Sequence, residues 1–133
     1  MLIIAHRGAS GYEPENTLKA FRKAIQLKAD VIELDVHLTK DGKVVVIHDP
    51  TLKRTTKKKG KVKDLTLSEI KKLDAGKGEK IPTLEQVLNL CAKKIKLNIE
   101  LKGKDTAEPV SKIIKKYVKE KKYSLADFYI SSL

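Results

Sequence analysis

The chain has 133 residues and is 41% apolar, enough for one domain with a hydrophobic core. Its 29 basic side chains outnumber 17 acidic ones, for a formal charge of +12 and a pI near 9.7; this fits either a lysine-rich solvated surface, as in hyperthermophile proteins, or attraction to anions. One cysteine excludes an intrachain disulfide, no apolar run reaches the ~18 residues of a membrane span, and Met1–Ala5 lacks the basic and apolar regions of a signal peptide, so a cytoplasmic location is expected.

Strand and helix patterns alternate along the chain. Leu2–Ala5 reads as a first strand. Asn16-Thr17 opens a helix through Leu27, with Leu18, Phe21, Ala24 and Ile25 at helical spacing. Val31–Val36 is a second strand, Lys40–Lys43 a turn, and Val44–Ile47 a third, β-branched strand. Asp49-Pro50 stops it. The run Lys53–Lys63 holds seven Lys or Arg and no acid, and reads as a solvated loop. Leu67–Leu73 is predicted helical with Thr66 or Ser68 near its cap, and Pro82-Thr83 begins a helix through Cys91. Cys91 sits among apolar residues and reads as a buried hydrophobe. Lys96–Leu101 is a fourth strand, Ala107–Lys121 a helix, and Phe128–Ser131 a fifth strand. Alternation of this kind implies parallel strands with crossovers.

What ends each strand is more informative. His6-Arg7-Gly8 follows the first, Glu33 and Asp35 lie on the second, His48-Asp49 follows the third, and Glu100 and Lys102 lie on or after the fourth. Parallel α/β folds build their sites at that edge. Alternate residues share a face, so Glu33 sits with Asp35, and Glu100 with Asn98 and Lys102. A barrel accounts for this, one face packing on helices and the other pointing to the axis. Three converging carboxylates are read either as a Mg²⁺ or Ca²⁺ site or as ion pairs with lysines. With His6, His48, Arg7 and Lys102 they suit phosphoryl transfer: acid–base imidazoles, with cations for a phosphate. His37 reads as a rim residue, and the four scattered tyrosines make no stacking platform for nucleic acid.

Six runs closely resemble the glycerophosphodiester phosphodiesterase family: Ala5–Gly8, Pro14–Thr17, Ile32–Val36, Thr39–Gly42, Val46–Asp49 and Asn98–Lys102, with Ile81–Glu85 a further likeness. They occur in family order over nearly the whole chain. The resemblance implies a hydrolase of lipid and glycerol metabolism that cleaves glycerophosphodiesters to glycerol 3-phosphate and an alcohol. It implies Glu33, Asp35 and Glu100 as ligands of a divalent cation, Mg²⁺ or Ca²⁺. His6 and His48 would be the acid–base pair, Arg7 and Lys102 the phosphate contacts, and Glu15 and Asn16 part of the site region, with Asn16 also suited to start its helix. In the reaction proposed for the family, the neighbouring glycerol hydroxyl attacks phosphorus and water then opens the cyclic phosphate.

The implied fold is α/β: a partial TIM (β/α)8 barrel of about five parallel strands with intervening helices. Residues 1–133 would form the N-terminal portion of the domain, for a full barrel takes about 250 residues. Leu133 also stands where a Phe commonly follows the family's strand-end serines. Either the sequence is a truncation or self-association completes the barrel. The expected partner is a small-molecule glycerophosphodiester and not nucleic acid. Two rival readings are a catalytically silent metal-binding fragment and a basic module for nucleic acid or anionic membrane.

Overall fold

The computed structural model describes residues 1–132; Leu133 lies outside the described residues. The strands are β1 (Ile4–His6), β2 (Val31–Leu38), β3 (Val44–Val46), β4 (Lys96–Leu101) and β5 (Phe128–Ser132). They form one sheet in the order β1-β2-β4-β5, every neighbouring pair on this path being parallel. The α/β expectation holds, and so does the number of strands. The expectation that all are parallel is corrected at β3, which lies off this path and pairs antiparallel with β2. The reason is connection length. Only Thr39–Lys43 separates β2 from β3, with Gly42 at φ +76°, whereas a parallel crossover needs about a dozen residues.

The helices are α1 (Leu18–Gln26), α2 (Lys53–Thr56), α3 (Leu67–Ile70), α4 (Leu84–Cys91) and α5 (Ala107–Lys119). Thr17, and not Asn16, caps α1: its Oγ1 accepts from the Ala20 N–H at 3.2 Å. Asn16 is left outside the helix at φ 55°. Thr66 and Thr83 close reciprocal capping boxes with Glu69 and Gln86, which fixes the starts of α3 and α4. α3 ends at Ile70, three residues short of the expected Leu73.

Parity governs the sheet. Ile32, Leu34 and Val36 of β2 and Leu97 and Ile99 of β4 are fully buried against Phe21 of α1, Leu84 and Leu88 of α4, and Val110 and Ile114 of α5. Cys91 lies in the same core, where burial pushes its thiol up to about 12. The residues between them, Glu33, Asp35, Asn98 and Glu100, occupy the other face. The segment between β3 and α4 builds a second small core, in which Leu52, Val62 and Ile70 close over Val45 and Ile47. The predicted solvated loop therefore contains a helical turn anchored by Leu52. β1 and β5 flank the sheet, and Leu2, Ile3, Ile4, Tyr129 and Ile130 are about half exposed or more.

α1 presses on the turn after β1. A Cβ on Gly8 would meet the Ala20 backbone carbon, Ala20 Cβ and Phe21 Cδ1, each at 2.9 Å, and Gly8 has φ +79°. Gly8→Ala is therefore expected to cost at least about 2 kcal/mol through strain and overpacking together. Urea unfolding measures it, and an unchanged midpoint would mean that the turn and α1 are not in close contact.

Candidate active site

Register brings the acids together. His6 pairs with Glu33 across β1 and β2, and Asp35 with Glu100 across β2 and β4. One oxygen from each of Glu33, Asp35 and Glu100 lies within 4.8 Å of the other two. Asp35 is fully buried and Glu33 nearly so, at 0% and 6% exposure. Burial, then the Asp35 charge, raise the Glu33 carboxyl to about 8. Burial also pushes Glu100 up, but the neighbouring Glu33 carboxyl and the Lys102 ammonium outweigh this and hold it below the usual value. The direction of the Glu33 shift favours its protonated form, which would limit the repulsion.

The remaining groups pack around this cluster. The Arg7 N–H donates to Glu33 Oε1 at 3.1 Å, and its Nε lies 3.7 Å from Asp35 Oδ2. Asn16 donates from Nδ2 to Asp35 Oδ2 at 3.1 Å, and its backbone N–H donates to the Arg7 carbonyl at 2.9 Å. Lys102 Nζ is 3.4 Å from Glu100 Oε1. Arg7 and Asn16 both have left-handed backbones, at φ 58° and 55°. Such non-glycine residues cluster where the surrounding structure holds a strained site. Glu33 Oε2, Asp35 Oδ1 and Asn16 Oδ1 are buried acceptors with no donor. Unpartnered hard oxygens beside three carboxylates fit a divalent cation with oxygen ligands.

His6 is open to solvent, with Nε2 3.9 Å from Glu33 Oε1. His48 follows β3 and reaches the site on the return arm of the hairpin. No hydrogen bond or ion pair joins it to the three acids among the described residues. Its Nδ1 lies 2.8 Å from Asp49 Oδ1. It shares with Lys102, Pro50, Val62 and Gly103 the wall of a groove of about 680 Å³. Of the predicted residues, His6 lies beside Glu33 and Lys102 beside Glu100, whereas His48 and Lys102 line the groove, whose wall includes neither His6 nor the three acids.

Four residues contribute in ways that the sequence reading did not give. His37 does line the groove, but it is 6% exposed and also supports His48, its Nε2 lying 2.9 Å from the His48 carbonyl oxygen. Gly103 packs on it so closely that a Cβ would lie 2.9 Å from His37 Nδ1. Asp49, read as a strand stop, holds His48. Arg54, read as part of a solvated loop, bonds both Asp49 and Glu15. The available signal was that Arg54 is one of only three arginines among 29 basic residues, since arginine suits bidentate pairing.

The Glycerophosphoryl diester phosphodiesterase family matches residues 6–130. A glycerophosphodiester phosphodiesterase of Caldanaerobacter subterraneus subsp. tengcongensis is 50% identical, the match covering 99% of this chain and 60% of that protein. The crystal structure of glycerophosphodiester phosphodiesterase from Agrobacterium tumefaciens superposes with a TM-score of 0.91 at 38% identity, over 100% of this chain and 58% of that one. An Oleispira antarctica phosphodiesterase, solved in complex with the product sn-glycerol-3-phosphate, gives 0.85 at 35% identity, over 99% of this chain and 57% of that one. The chain spans about half the length of the curated relatives it matches. With the strand-end histidines, the paired acids and the sheet order all in place, the chain belongs to the glycerophosphodiester phosphodiesterase family.

Proposed function

We propose that this chain carries the catalytic groups for metal-dependent hydrolysis of glycerophosphodiesters to glycerol 3-phosphate and an alcohol. The observation that carries this reading is the cluster of Glu33, Asp35 and Glu100, whose oxygens lie within 4.8 Å of one another beside Arg7, Lys102 and His6. Glu33, Asp35 and Glu100 would hold Mg²⁺ or Ca²⁺, which when bound neutralises phosphate oxygens and so eases attack at phosphorus.

The chain's own residues do the rest. Arg7 and Lys102 present cations to the non-bridging oxygens. One imidazole of the pair His6 and His48 takes the proton from the glycerol hydroxyl next to the diester. That oxygen bonds to phosphorus as the bond to the leaving alcohol breaks, and the second imidazole protonates the alcohol. Water then opens the cyclic phosphate with the roles reversed. The groove beside His48 and Lys102 has room for the leaving alcohol. Among the described residues, no helix is long and apolar enough to cross a membrane.

Metal binding is expected to depend on pH. With its carboxyl raised to about 8, Glu33 is protonated at neutral pH, and an ion must displace that proton. Apparent Mg²⁺ or Ca²⁺ affinity should therefore rise with pH up to about 8 and fall by as much as about tenfold per unit below it. Isothermal titration in buffers of different ionisation enthalpy reads both the affinity and the released proton. Equal affinity in wild type and in Glu33→Gln/Asp35→Asn would remove these residues from the metal site.

In any form of the protein that turns over glycerophosphocholine, His6→Ala and His48→Ala should each lower kcat by roughly 10²–10⁴-fold. Near-normal turnover in either variant would take that residue out of the mechanism.

Assayed as these 133 residues alone, with β1 and β5 at the two ends of the sheet, the chain is expected to have low activity as a monomer. Phosphoryl transfer depends on positioning, and small displacements can cost about 10²-fold. Strands with unpaired edges also favour self-association. An assay run across size-exclusion fractions separates the cases: activity is expected to be weak in the monomer and concentrated in any dimer. Full turnover from a clean monomer would show that four parallel strands suffice.

A further inference from the structure

Arg54 is the most heavily engaged side chain outside the residues assigned above, and nothing in its contacts is explained by packing alone. It is half exposed, yet it bonds two carboxylates at once. Its Nη1 and Nη2 donate to Glu15 Oε1 and Oε2 at 2.5 and 3.0 Å. Its Nε and Nη2 donate to Asp49 Oδ2 and Oδ1 at 2.8 and 3.0 Å. Both pairs are bidentate, the geometry a planar guanidinium offers and an ammonium does not.

The two carboxylates lead in different directions. Glu15 Oε2 also accepts from Arg7 Nη1 at 3.1 Å, so that side ends at the residue beside Asp35. Asp49 Oδ1 lies 2.8 Å from His48 Nδ1. Arg54 therefore ties the turn after β1 to the imidazole after β3. Its own position is set by the second core: Leu52 is fully buried, and Thr56 Oγ1 donates to the Leu52 carbonyl at 2.7 Å.

We propose that Arg54 is a positioning residue that clamps the Asp49 carboxylate against His48, so that His48 carries its proton on Nδ1 and presents a bare Nε2 to the substrate. This rests on His48 belonging to the acid–base pair. An ionised carboxylate can only accept, so the ring nitrogen facing it must be the donor. The two bonds from Arg54, opposed by partial burial, hold the Asp49 carboxyl down at about 2, so it remains ionised across the neutral range. The backbone of His48 is fixed separately through His37, which Gly103 admits. With ring and backbone both restrained, rotation of the imidazole about its side-chain bonds is confined.

A lysine at 54 would preserve the charge but could not meet both carboxylates in the plane. Arg54 is also poorly placed to bind a phosphate directly, since its Nε, Nη1 and Nη2 are all donating within the protein.

The test is ¹⁵N NMR of the chain with labelled histidine, the His48 signals being assigned by their loss in His48→Ala. Spectra are taken at a pH where the titration curve itself shows the ring to be neutral. The wild type is expected in the Nδ1–H tautomer, the reverse of the preference of a free histidine side chain. Asp49→Ala should return the ring to mostly Nε2–H. Arg54→Gln should move it most of the way, and Arg54→Lys should leave a mixture. An Nε2–H wild type overturns the proposal, as does an unchanged ring in Asp49→Ala. A ring that moves in Asp49→Ala but not in folded Arg54→Gln removes Arg54 from it. If Arg54→Gln loses its dispersed amide spectrum, Arg54→Lys decides instead, and a wild-type tautomer ratio there sinks the clamp. Failure of the functional reading is distinguished by kinetics: normal turnover in His48→Ala refutes the acid–base role whatever the tautomer.

Discussion

Carboxylates on adjacent, registered strands repel one another, and burying them multiplies the repulsion because water no longer screens it. Asp35 stands beside Glu100, with no exposed surface, one residue pair from Glu33. Much of what surrounds the sheet edge answers that constraint. The left-handed step at Arg7 turns a backbone N–H onto Glu33 and brings a guanidinium towards Asp35. The left-handed Asn16 sets its amide against Asp35 while Thr17 starts the helix. Lys102 meets Glu100, and burial beside Asp35 favours a proton on Glu33. Even so, buried oxygens are left without donors. A protein that retains such a cluster gives up stability at that spot, which is the usual signature of a site built for binding.

Charge is distributed by type as well as by sign. Lysines supply nearly all of the basic excess, whereas two of the three arginines, Arg7 and Arg54, converge on one acid, Glu15. Together they outweigh its burial and keep the Glu15 carboxyl below its ordinary value. The division is physical: lysine charges are strongly hydrated and sit well in solvent, while a guanidinium can be held by several oxygens in a fixed plane. The net charge of +12 therefore says little about the site, and the placement of a few arginines says much.

The acids and their face were legible because strand parity is a rigid rule: once Ile32, Leu34 and Val36 are assigned to the core, Glu33 and Asp35 have nowhere else to point. Fold class was legible for a similar reason, through the alternation of patterns. The direction of β3 was not read, although the short Thr39–Lys43 connection contained the answer. Asp49 and Arg54 were not read because their partners are brought together by tertiary contacts; Arg54 and Glu15 are 39 residues apart. The helix start was legible only as the pair Asn16-Thr17 because Asn and Thr are both good caps, and the tertiary bond from Asn16 to Asp35 decides between them.

The antiparallel return of β3 gives the site an internal ruler. Ile47 donates its N–H to the Asp35 carbonyl at 3.0 Å, so His48 is measured off from the very strand that carries two of the acids. Changing the five-residue reversal by one residue would shift that measurement and turn alternate side chains to the wrong face. The stretch between α2 and α3 is held differently: Val62 and Leu65 pack in the second core, and Lys61, Val62 and Lys63 line the groove beside His48. Length variation should therefore be tolerated unevenly along the chain: hardly at all between Leu38 and Val44, and more freely at the exposed tip Lys57–Lys59.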